Sequence, residues 1–265
     1  MNLATRFSRI NWLRLVALAS LAVLLGPVIL LLYEGLGPLR NPIGYSYGFF
    51  LSIWLTIFTS ALAALVSIIL FTPLSYYLAR SKNKIAESLT DLPAIIPHPV
   101  VGIAVLVFAS PLTPFGRFLV AHGIVLFDSI LGIVVALSIV SAPIYVNSLH
   151  PFFESMNAAH ENYAQSLGAS RFRAFVSVVL PSSRNAILNA SLISMSRAMS
   201  EFGSLAIIAY YVAQPPYLGF FGVSPASVSI YNFYTLYGPG GAITGSAILI
   251  LISILMLVIL RSIRR

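Results

Sequence analysis

The chain has 265 residues, of which 58% are hydrophobic and only 8% are charged, and its formal net charge at pH 7 is +8. An average soluble domain carries about 25% charged residues, so this composition excludes an ordinary soluble protein. It also excludes a disordered chain, which needs low hydrophobicity and high charge. The long apolar runs predict an all-α polytopic membrane protein, because the strands of a β-barrel would alternate apolar and polar residues.

Six apolar segments are long enough to cross a bilayer, which takes about 20 mostly apolar residues in a helix. Basic residues precede the first segment, as they do in a signal peptide. This segment is too long for a typical signal sequence, however, and no small-residue cleavage site follows it. We therefore expect an anchored first helix and six spans in all. The segments are 15–33, 49–79, 93–110, 129–146, 186–212 and 241–260.

The basic residues predict the orientation of these spans. If the N-terminus is cytoplasmic, twelve Lys and Arg residues fall on the cytoplasmic side, and only Arg40 and Arg117 fall outside. Such an excess is typical of cytoplasmic loops. It favours a membrane surface over nucleic acid as the reason for the positive charge. We predict a cell-membrane protein with cytoplasmic N- and C-termini. The twelve are Arg6, Arg9, Arg14, Arg80, Lys82, Lys84, Arg171, Arg173, Arg184, Arg261, Arg264 and Arg265.

Two connecting segments are unusual. The cytoplasmic stretch 147–185 is the longest charged loop, and its sequence predicts short helices. The outside stretch 213–240 has no charge, and its aromatic residues favour the membrane–water interface. We expect a short interfacial helix there, ending at the helix-breaking segment 238–241. The aromatic residues are Tyr217, Phe220, Phe221, Tyr231, Phe233, Tyr234 and Tyr237.

Sequence signatures of enzymes are missing. The chain has no G-x-x-x-x-G-K-[ST] phosphate loop, and its only lysines are Lys82 and Lys84. It has no zinc-protease or serine-hydrolase motif and no cysteine, and its four histidines do not cluster, so no metal site is predicted. An intramembrane enzyme is therefore poorly supported. An ATP-driven mechanism needs another chain to bind the nucleotide.

Arg197 and Glu201 are the only ionisable residues well inside a predicted span. Charges in such positions are costly and normally face a partner or a water-filled path. Four residues apart, they share a helix face and can pair. Two interpretations stay open, namely an internal ion pair that locks helix packing and a lining of a translocation path. Ser194, Ser200 and Ser204 add hydroxyl groups nearby. His98 lies beside prolines in another segment and is interpreted as a hydrogen-bonded or interfacial histidine.

The cytoplasmic loop has the most distinctive pattern. A short helix runs to Gly168, which can form a left-handed turn at its end, and a second helix begins near Ser170. The pattern alone fits either a solvated linker or a docking element. This segment resembles the EAA motif of ABC-importer permeases, E-A-A-x3-G-x9-I-x-L-P. Asn162 and Tyr163 occupy its first two positions and Glu161 is displaced by one. The fitting residues are Ala164, Gly168, Val178, Leu180 and Pro181.

Other segments narrow the resemblance. Residues 72–80 look like the T-P-L-A-Y-x-L-A-R ending of the second helix in molybdate, tungstate and sulfate permeases. Residues 91–102 resemble their L-P-x-x-x-P-P-x-V-x-G stretch, with His98 where proline is usual. Residues 197–203 are similar to R-A-x-x-E-F-G, and Ile230-Tyr231 to the I-Y element before the last helix. The resemblance covers about residues 45–260 and is greatest to molybdate/tungstate permeases.

This resemblance implies one permease domain over residues 1–265 with the type I ABC-importer fold. Because no further domain follows Arg265 in the sequence, we expect no regulation by a fused carboxy-terminal domain. It implies a homodimer with ABC ATPase subunits on the cytoplasmic side and an extracytoplasmic substrate-binding protein. ATP and Mg²⁺ are then bound by the ATPase, and this chain holds no cofactor. The implied ATPase-coupling residues are Glu161, Ala164, Gly168, Ala169, Ser170, Arg171, Leu180 and Pro181.

The expected function is therefore import of molybdate or tungstate by alternating access. The expected path or gate residues are Ser194, Arg197, Ser200, Glu201 and Ser204. A sulfate or thiosulfate permease of the same architecture stays open as an alternative. An ion-coupled secondary transporter is disfavoured, because no internal repeat is evident and the EAA-like loop would be unexplained.

Overall fold

The computed structural model describes residues 3–213 and 219–263. In these residues the chain is helical and contains no β-sheet. A 3₁₀ turn covers Pro42–Tyr45, and a π-helical turn covers Phe175–Val179. The α-helices are α1 (Leu3–Leu36), α2 (Tyr47–Ser81), α3 (Lys84–Thr90), α4 (Leu92–Ile95), α5 (His98–Ala109), α6 (Pro114–Ala121), α7 (Ile130–Ser155), α8 (Ala159–Ser166), α9 (Arg171–Ala174), α10 (Leu180–Met199), α11 (Leu205–Ile208) and α12 (Ala226–Ile263).

Four helices are long and apolar enough to cross a membrane, namely α1, α2, α7 and α12, within the part of the chain that the structure describes. They match four of the six predicted spans. The predicted third span differs, because α5 has only 12 residues, or about 18 Å of helix against a hydrocarbon core of about 30 Å. It forms a pair with α6 that is bent by 71°, and this pair is a candidate fifth span.

The predicted fifth span, 186–212, is not one helix. Helix α10 ends at Met199, and helical structure resumes only at the four-residue α11. Helix α10 also contains five serines and two asparagines, so it is less apolar than the other long helices. The pair Arg197 and Glu201 therefore lies at a helix end rather than inside a continuous helix.

The predicted short helix before the last span is confirmed. Helix α12 is interrupted at Gly238, whose φ of 70° and ψ of −170° lie outside the helical region. A residue with positive φ there favours glycine, and the adjacent Pro239 cannot donate a backbone hydrogen bond. The helical segment from Ala226 therefore stops where the sequence predicted. Tyr217, one of the predicted aromatic residues, lies outside the described residues.

The chain divides into two compact units. The first comprises residues 3–49 and 230–254. Within it, the Thr244 hydroxyl donates to the Gly35 carbonyl (3.0 Å) and accepts from the Asn41 N–H (2.7 Å). A Cβ atom added to Gly35 would lie 2.8 Å from the Ile243 carbonyl oxygen, so the glycine permits the close approach of α1 to α12.

The second unit comprises residues 50–229 and 255–263 of the described chain and is organised around α7. Helix α7 packs against α4, α5, α10 and α11. Its first half contributes Ile133 and Leu137 to one apolar cluster, and its second half contributes Tyr145, Leu149 and Phe153 to another. The Tyr145 hydroxyl, which is buried, forms a hydrogen bond of 2.6 Å with the Thr72 hydroxyl of α2.

Asp128, just before α7, holds the segment that follows α11. Its N–H donates to the Ile208 carbonyl (2.9 Å), and its carbonyl accepts from the Ala213 N–H (2.7 Å). The Asp128 side chain is buried, and its Oδ1 has no partner among the described residues. Burial raises the pKa of this carboxyl above its ordinary value, and the backbone N–H groups of Tyr210 and Tyr211 offset part of the rise.

We predict that Asp128→Asn is at least as stable as the wild-type protein at pH 7.5. The pKa of Asp128 is higher in the folded state than in the unfolded state. The free energy of unfolding that this group contributes therefore falls as the pH rises through the folded pKa, so its charged form is unfavourable at neutral pH. The amide removes the charge and still accepts hydrogen bonds. Asp128→Ala should lose about 1–3 kcal/mol, because buried N–H groups lose their acceptor. Thermal unfolding in detergent at pH 7.5 and pH 5 measures both, and equal destabilisation of the two variants would contradict the prediction.

Candidate coupling surface and translocation site

The turn at Gly168 ends α8 in the manner that the sequence predicted. Gly168 has a φ of +92°, and a Cβ added there would meet nothing within 4 Å. The Gly168 N–H donates to the Gln165 carbonyl (2.9 Å), and the Ala169 N–H donates to the Ala164 carbonyl (3.0 Å). These two bonds form a Schellman motif, which satisfies carbonyls at the end of a helix. The glycine is therefore required by backbone conformation and not by crowding.

The next helix starts where expected. The Ser170 hydroxyl accepts a hydrogen bond from the Arg173 N–H at 3.2 Å, as an N-cap residue does. Helix α9 continues through the π-helical turn into α10, whose first turn contains Leu180 and Pro181. These last two residues therefore begin a long helix, whereas Gly168 to Arg171 form the tip of the loop.

Large apolar side chains surround this tip and point outward. Tyr163 is 69% exposed, Leu167 is 88% exposed and Phe172 is 77% exposed. Arg171 and Arg173 are exposed beside them. An exposed apolar patch with a polar rim is typical of a protein interaction site. We call Tyr163, Leu167, Gly168, Arg171 and Phe172 the coupling surface. Its apolar members were missed by sequence reasoning, although they directly flank the predicted turn.

Glu161 differs from the other predicted coupling residues because it faces inward. It is only 4% exposed and is the one buried residue of α8. Its carboxylate is paired with the Arg80 guanidinium and accepts a hydrogen bond from the Tyr76 hydroxyl at 2.5 Å. Arg80 and Tyr76 come from the end of α2, in the segment 72–80 that the sequence singled out. Ala164 and Ala169 are half-buried.

Glu201 is the centre of a second group of polar side chains, and the predicted pairing with Arg197 is confirmed. The carboxylate is 1% exposed, and its Oε2 lies 3.2 Å from Arg197 Nη2. Its Oε1 accepts from the Ser204 N–H (2.9 Å) and the Ser204 hydroxyl (3.0 Å). His98 Nδ1 lies 3.1 Å from Oε2. We call His98, Arg197, Glu201 and Ser204 the polar cluster.

His98 bridges the two charged members of the polar cluster, Arg197 and Glu201. Arg197 Nη2 lies 3.0 Å from both ring nitrogens of His98. In the tautomer with hydrogen on Nδ1, His98 donates to Glu201 Oε2 and accepts from Arg197 through Nε2, whereas Nδ1–H and Arg197 Nη2 are both donors and form no hydrogen bond with each other. The side chains of His98 and Arg197 are 31% and 23% exposed, so these two groups form the open side of the cluster and Glu201 lies behind them.

Tight backbone packing fixes the position of the cluster. A Cβ added to Gly102 of α5 would lie 2.7 Å from the Ser204 carbonyl oxygen, and one added to Gly203 would lie 2.9 Å from Pro99 Cδ. The Ser227 hydroxyl also donates to the Glu201 carbonyl at 2.7 Å. Two segments that the sequence singled out, 91–102 and 197–203, therefore meet through small residues, which allow backbones to approach closely in membrane proteins.

The predicted path serines lie in different environments. Ser194 is fully buried, and its hydroxyl is 3.5 Å from the Ser141 carbonyl of α7. Ser204 is also fully buried and is bonded to Glu201. Ser200 is exposed, and its hydroxyl lies 3.3 Å from Arg197 Nη1. Of the three serines, only Ser200 shares the open side with Arg197.

Comparison with known proteins assigns the family. Residues 43–265 match the family described as the binding-protein-dependent transport system inner membrane component. Over 213 residues the chain is 33% identical to the molybdate/tungstate transport system permease protein WtpB of Pyrococcus furiosus. The aligned region covers 79% of this chain and 76% of that protein. Over 208 residues it is 29% identical to the sulfate transport system permease protein CysT of Synechocystis, with coverages of 77% and 70%.

The fold agrees with this assignment. The crystal structure of a bacterial ABC transporter involved in the import of the acidic polysaccharide alginate superposes with a TM-score of 0.64 at 18% identity, covering 100% of this chain and 99% of that one. An ion-coupled secondary transporter and an intramembrane enzyme are both set aside by the family match, in which ATP hydrolysis belongs to a separate subunit. The chain belongs to the family of multi-pass inner-membrane permease components of binding-protein-dependent ABC importers.

Proposed function

We propose that this chain is the permease of an importer for molybdate or tungstate. The observation that carries the proposal is the 33% identity to a molybdate/tungstate permease over 79% of the chain. The sulfate permease in the comparison is 29% identical, so sulfate is the less favoured cargo. We further propose six spans with cytoplasmic termini and a homodimer that encloses the path. The concentration of basic residues at the termini and in two alternate loops supports this orientation.

The coupling surface is proposed as the contact with the ATPase subunits. Its apolar residues provide the area that a partner can desolvate, and Arg171 lies beside them as a charged rim. The resemblance of this loop to the EAA motif, which implies a coupling helix, supports the proposal. ATP binding then closes the ATPase dimer, moves the two coupling surfaces together and turns the path outward. Substrate enters from the binding protein and leaves inward after hydrolysis.

The polar cluster is proposed as a contact of the oxyanion on its path. Arg197 offers N–H donors on its open side, and donors of this kind suit the oxygens of a tetrahedral oxyanion. The Ser200 hydroxyl beside it donates to the Arg197 carbonyl (2.9 Å) and accepts from Arg197 Nη1 (3.3 Å), so it supports the guanidinium. The charge of Arg197 is balanced by Glu201 at 3.2 Å. Because Glu201 neutralises Arg197, the guanidinium is expected to bind an oxyanion only weakly and briefly. A translocation path needs such weak contacts, since tight binding of the substrate would slow its release.

The cargo is tested by purifying the chain with its attached subunits and reconstituting the complex with its binding protein. We expect ATP hydrolysis and uptake to be stimulated by molybdate and tungstate at lower concentrations than by sulfate. The measurement is uptake into liposomes with each oxyanion in turn. Equal stimulation by sulfate would favour the sulfate alternative, and a preparation without an ATPase subunit would contradict the proposed function.

Gly168→Val should weaken attachment of the ATPase. A β-branched residue at a φ of +92° is strained by about 1–2 kcal/mol, and the turn will shift to relieve the strain. Gly168→Asn is the matched control at the same site, because asparagine tolerates this conformation. Gly123→Val carries the same kind of strain at a φ of +71° in an exposed turn away from the coupling surface. ATPase retention and uptake should fall only for Gly168→Val; full retention with unchanged uptake would contradict the assignment.

The polar cluster is tested by comparing single and double variants. Arg197→Met alone leaves the Glu201 carboxylate buried without its cation, which costs about 3–5 kcal/mol, so assembly should suffer. The double variant Arg197→Met with Glu201→Gln removes both charges and should recover assembled protein. If the cluster contacts the oxyanion, this double variant assembles but takes up molybdate slowly. Normal uptake by the double variant would mean that the pair only locks helix packing.

A further inference from the structure

The anchoring of α8 is unusual, because the helix is held by a buried charge. Glu161 is the one buried residue of α8, whereas Tyr163 within the helix and Leu167 at its end are large, apolar and exposed. A surface helix normally attaches through an apolar stripe. A buried carboxylate needs its partner in a specific geometry, because an unpaired charge in the interior is costly. The position of α8 is therefore tied to the group that neutralises Glu161.

That group is Arg80, which contacts three elements at once. Its Nη2 is paired with Glu161 of α8. Its Nη1 donates to the Phe153 carbonyl (2.9 Å) and the Met156 carbonyl (3.3 Å), at the C-terminal end of α7. The last carbonyls of a helix lack partners within the helix and carry partial negative charge, so a guanidinium suits them. Arg80 itself lies in the last turn of α2, so it joins the ends of α2, α7 and α8.

Tyr76 completes the junction one turn earlier in α2. Its hydroxyl donates to Glu161 Oε2 at 2.5 Å, so both carboxylate oxygens are engaged. Its ring packs edge-on against Phe153 (centroids 5.6 Å apart) and at a tilt against Phe175 of the π-helical turn (4.9 Å). The Arg80 guanidinium also lies 5.5 Å from the centre of the Tyr76 ring. Each partner of the carboxylate is thus held by additional contacts.

We infer that Tyr76, Arg80 and Glu161 form a rigid brace that transmits movement of the coupling surface to α2 and α7. This inference rests on the proposed function, and it assigns Glu161 to positioning within the chain instead of to direct contact with the ATPase. Apolar contacts alone are not directional and permit sliding, whereas the hydrogen bonds and the ion pair of this network are directional. An ATPase that moves α8 therefore also moves the ends of two long helices.

The brace predicts a specific defect. Glu161→Ala should keep the coupling surface exposed, so the ATPase subunits stay attached and hydrolyse ATP. Molybdate taken up per ATP hydrolysed should fall at least about fivefold, the lower range of typical coupling between sites. Glu161→Gln, which retains an acceptor oxygen, should lie between Glu161→Ala and wild type. Glu154→Ala is the matched control, because this exposed carboxylate lies at the end of α7, 3.9 Å from His150, and outside the brace.

A second experiment replaces the brace with a covalent link. The chain has no cysteine, so Arg80→Cys with Glu161→Cys introduces the only two thiols. Both charges are removed together, so no unpaired charge remains buried. The uptake-to-ATP ratio should be low in this variant and should recover after reaction with a short bifunctional thiol reagent. A ratio that is normal before the reaction, or that stays low after complete cross-linking, would overturn the inference.

The outcomes also separate the brace from the proposed function. Loss of the ATPase subunits both from Glu161→Ala and from the cross-linked variant with Arg80→Cys and Glu161→Cys would mean that Glu161 contacts the ATPase directly, and the brace would be wrong while the importer assignment stands. An unchanged uptake-to-ATP ratio in Glu161→Ala would likewise overturn the brace alone. Failure of the wild-type complex to hydrolyse ATP in response to molybdate or tungstate would instead contradict the proposed function.

Discussion

The cost of burying a carboxylate in an apolar protein governs the arrangement of the second unit. The chain has only seven acidic residues, and three of them, Asp128, Glu161 and Glu201, are buried. Two of these carboxylates are held by an arginine located at a helix end, Arg80 for Glu161 and Arg197 for Glu201. Asp128 is held by backbone N–H groups instead. Each of the three carboxylates adds directional hydrogen bonds between segments that also pack through apolar side chains, and apolar packing specifies position less strictly.

Helix ends are suited to holding a buried carboxylate or its arginine, because the last turn of a helix leaves backbone groups without partners within the helix. Arg80 satisfies carbonyls at the end of α7 while it neutralises Glu161. Glu201 accepts the Ser204 N–H just beyond the end of α10. The break between α10 and α11 therefore has a chemical function, since it exposes backbone donors to a buried carboxylate. Backbone outside a helix is tolerated at membrane depth where it is buried in protein or lines a cavity.

The two charged sites differ in what they expose. Behind the coupling surface the Glu161 carboxylate is buried, and apolar residues such as Leu167 and Phe172 face outward. In the polar cluster the carboxylate is hidden, and Arg197 and His98 form the open side. The first arrangement suits a protein partner, which buries apolar area. The second is the arrangement that we propose for brief contact with a small anion. One physical device, a buried carboxylate paired with arginine, thus occurs at both places.

Much of this protein is determined by its sequence. Long apolar runs predicted four helices that the structure contains and that are long and apolar enough to cross a membrane, since a run of about 20 apolar residues favours such a helix. The turn at Gly168 and the N-cap at Ser170 were likewise predicted, because turn and cap chemistry is local. The pairing of Arg197 with Glu201 followed from their four-residue spacing. The tertiary structure alone decided the break after Met199, the inward direction of Glu161 and the role of His98 in the polar cluster. The last two features depend on partners 81 and 99 residues away in the chain, and no local periodicity encodes such distant contacts.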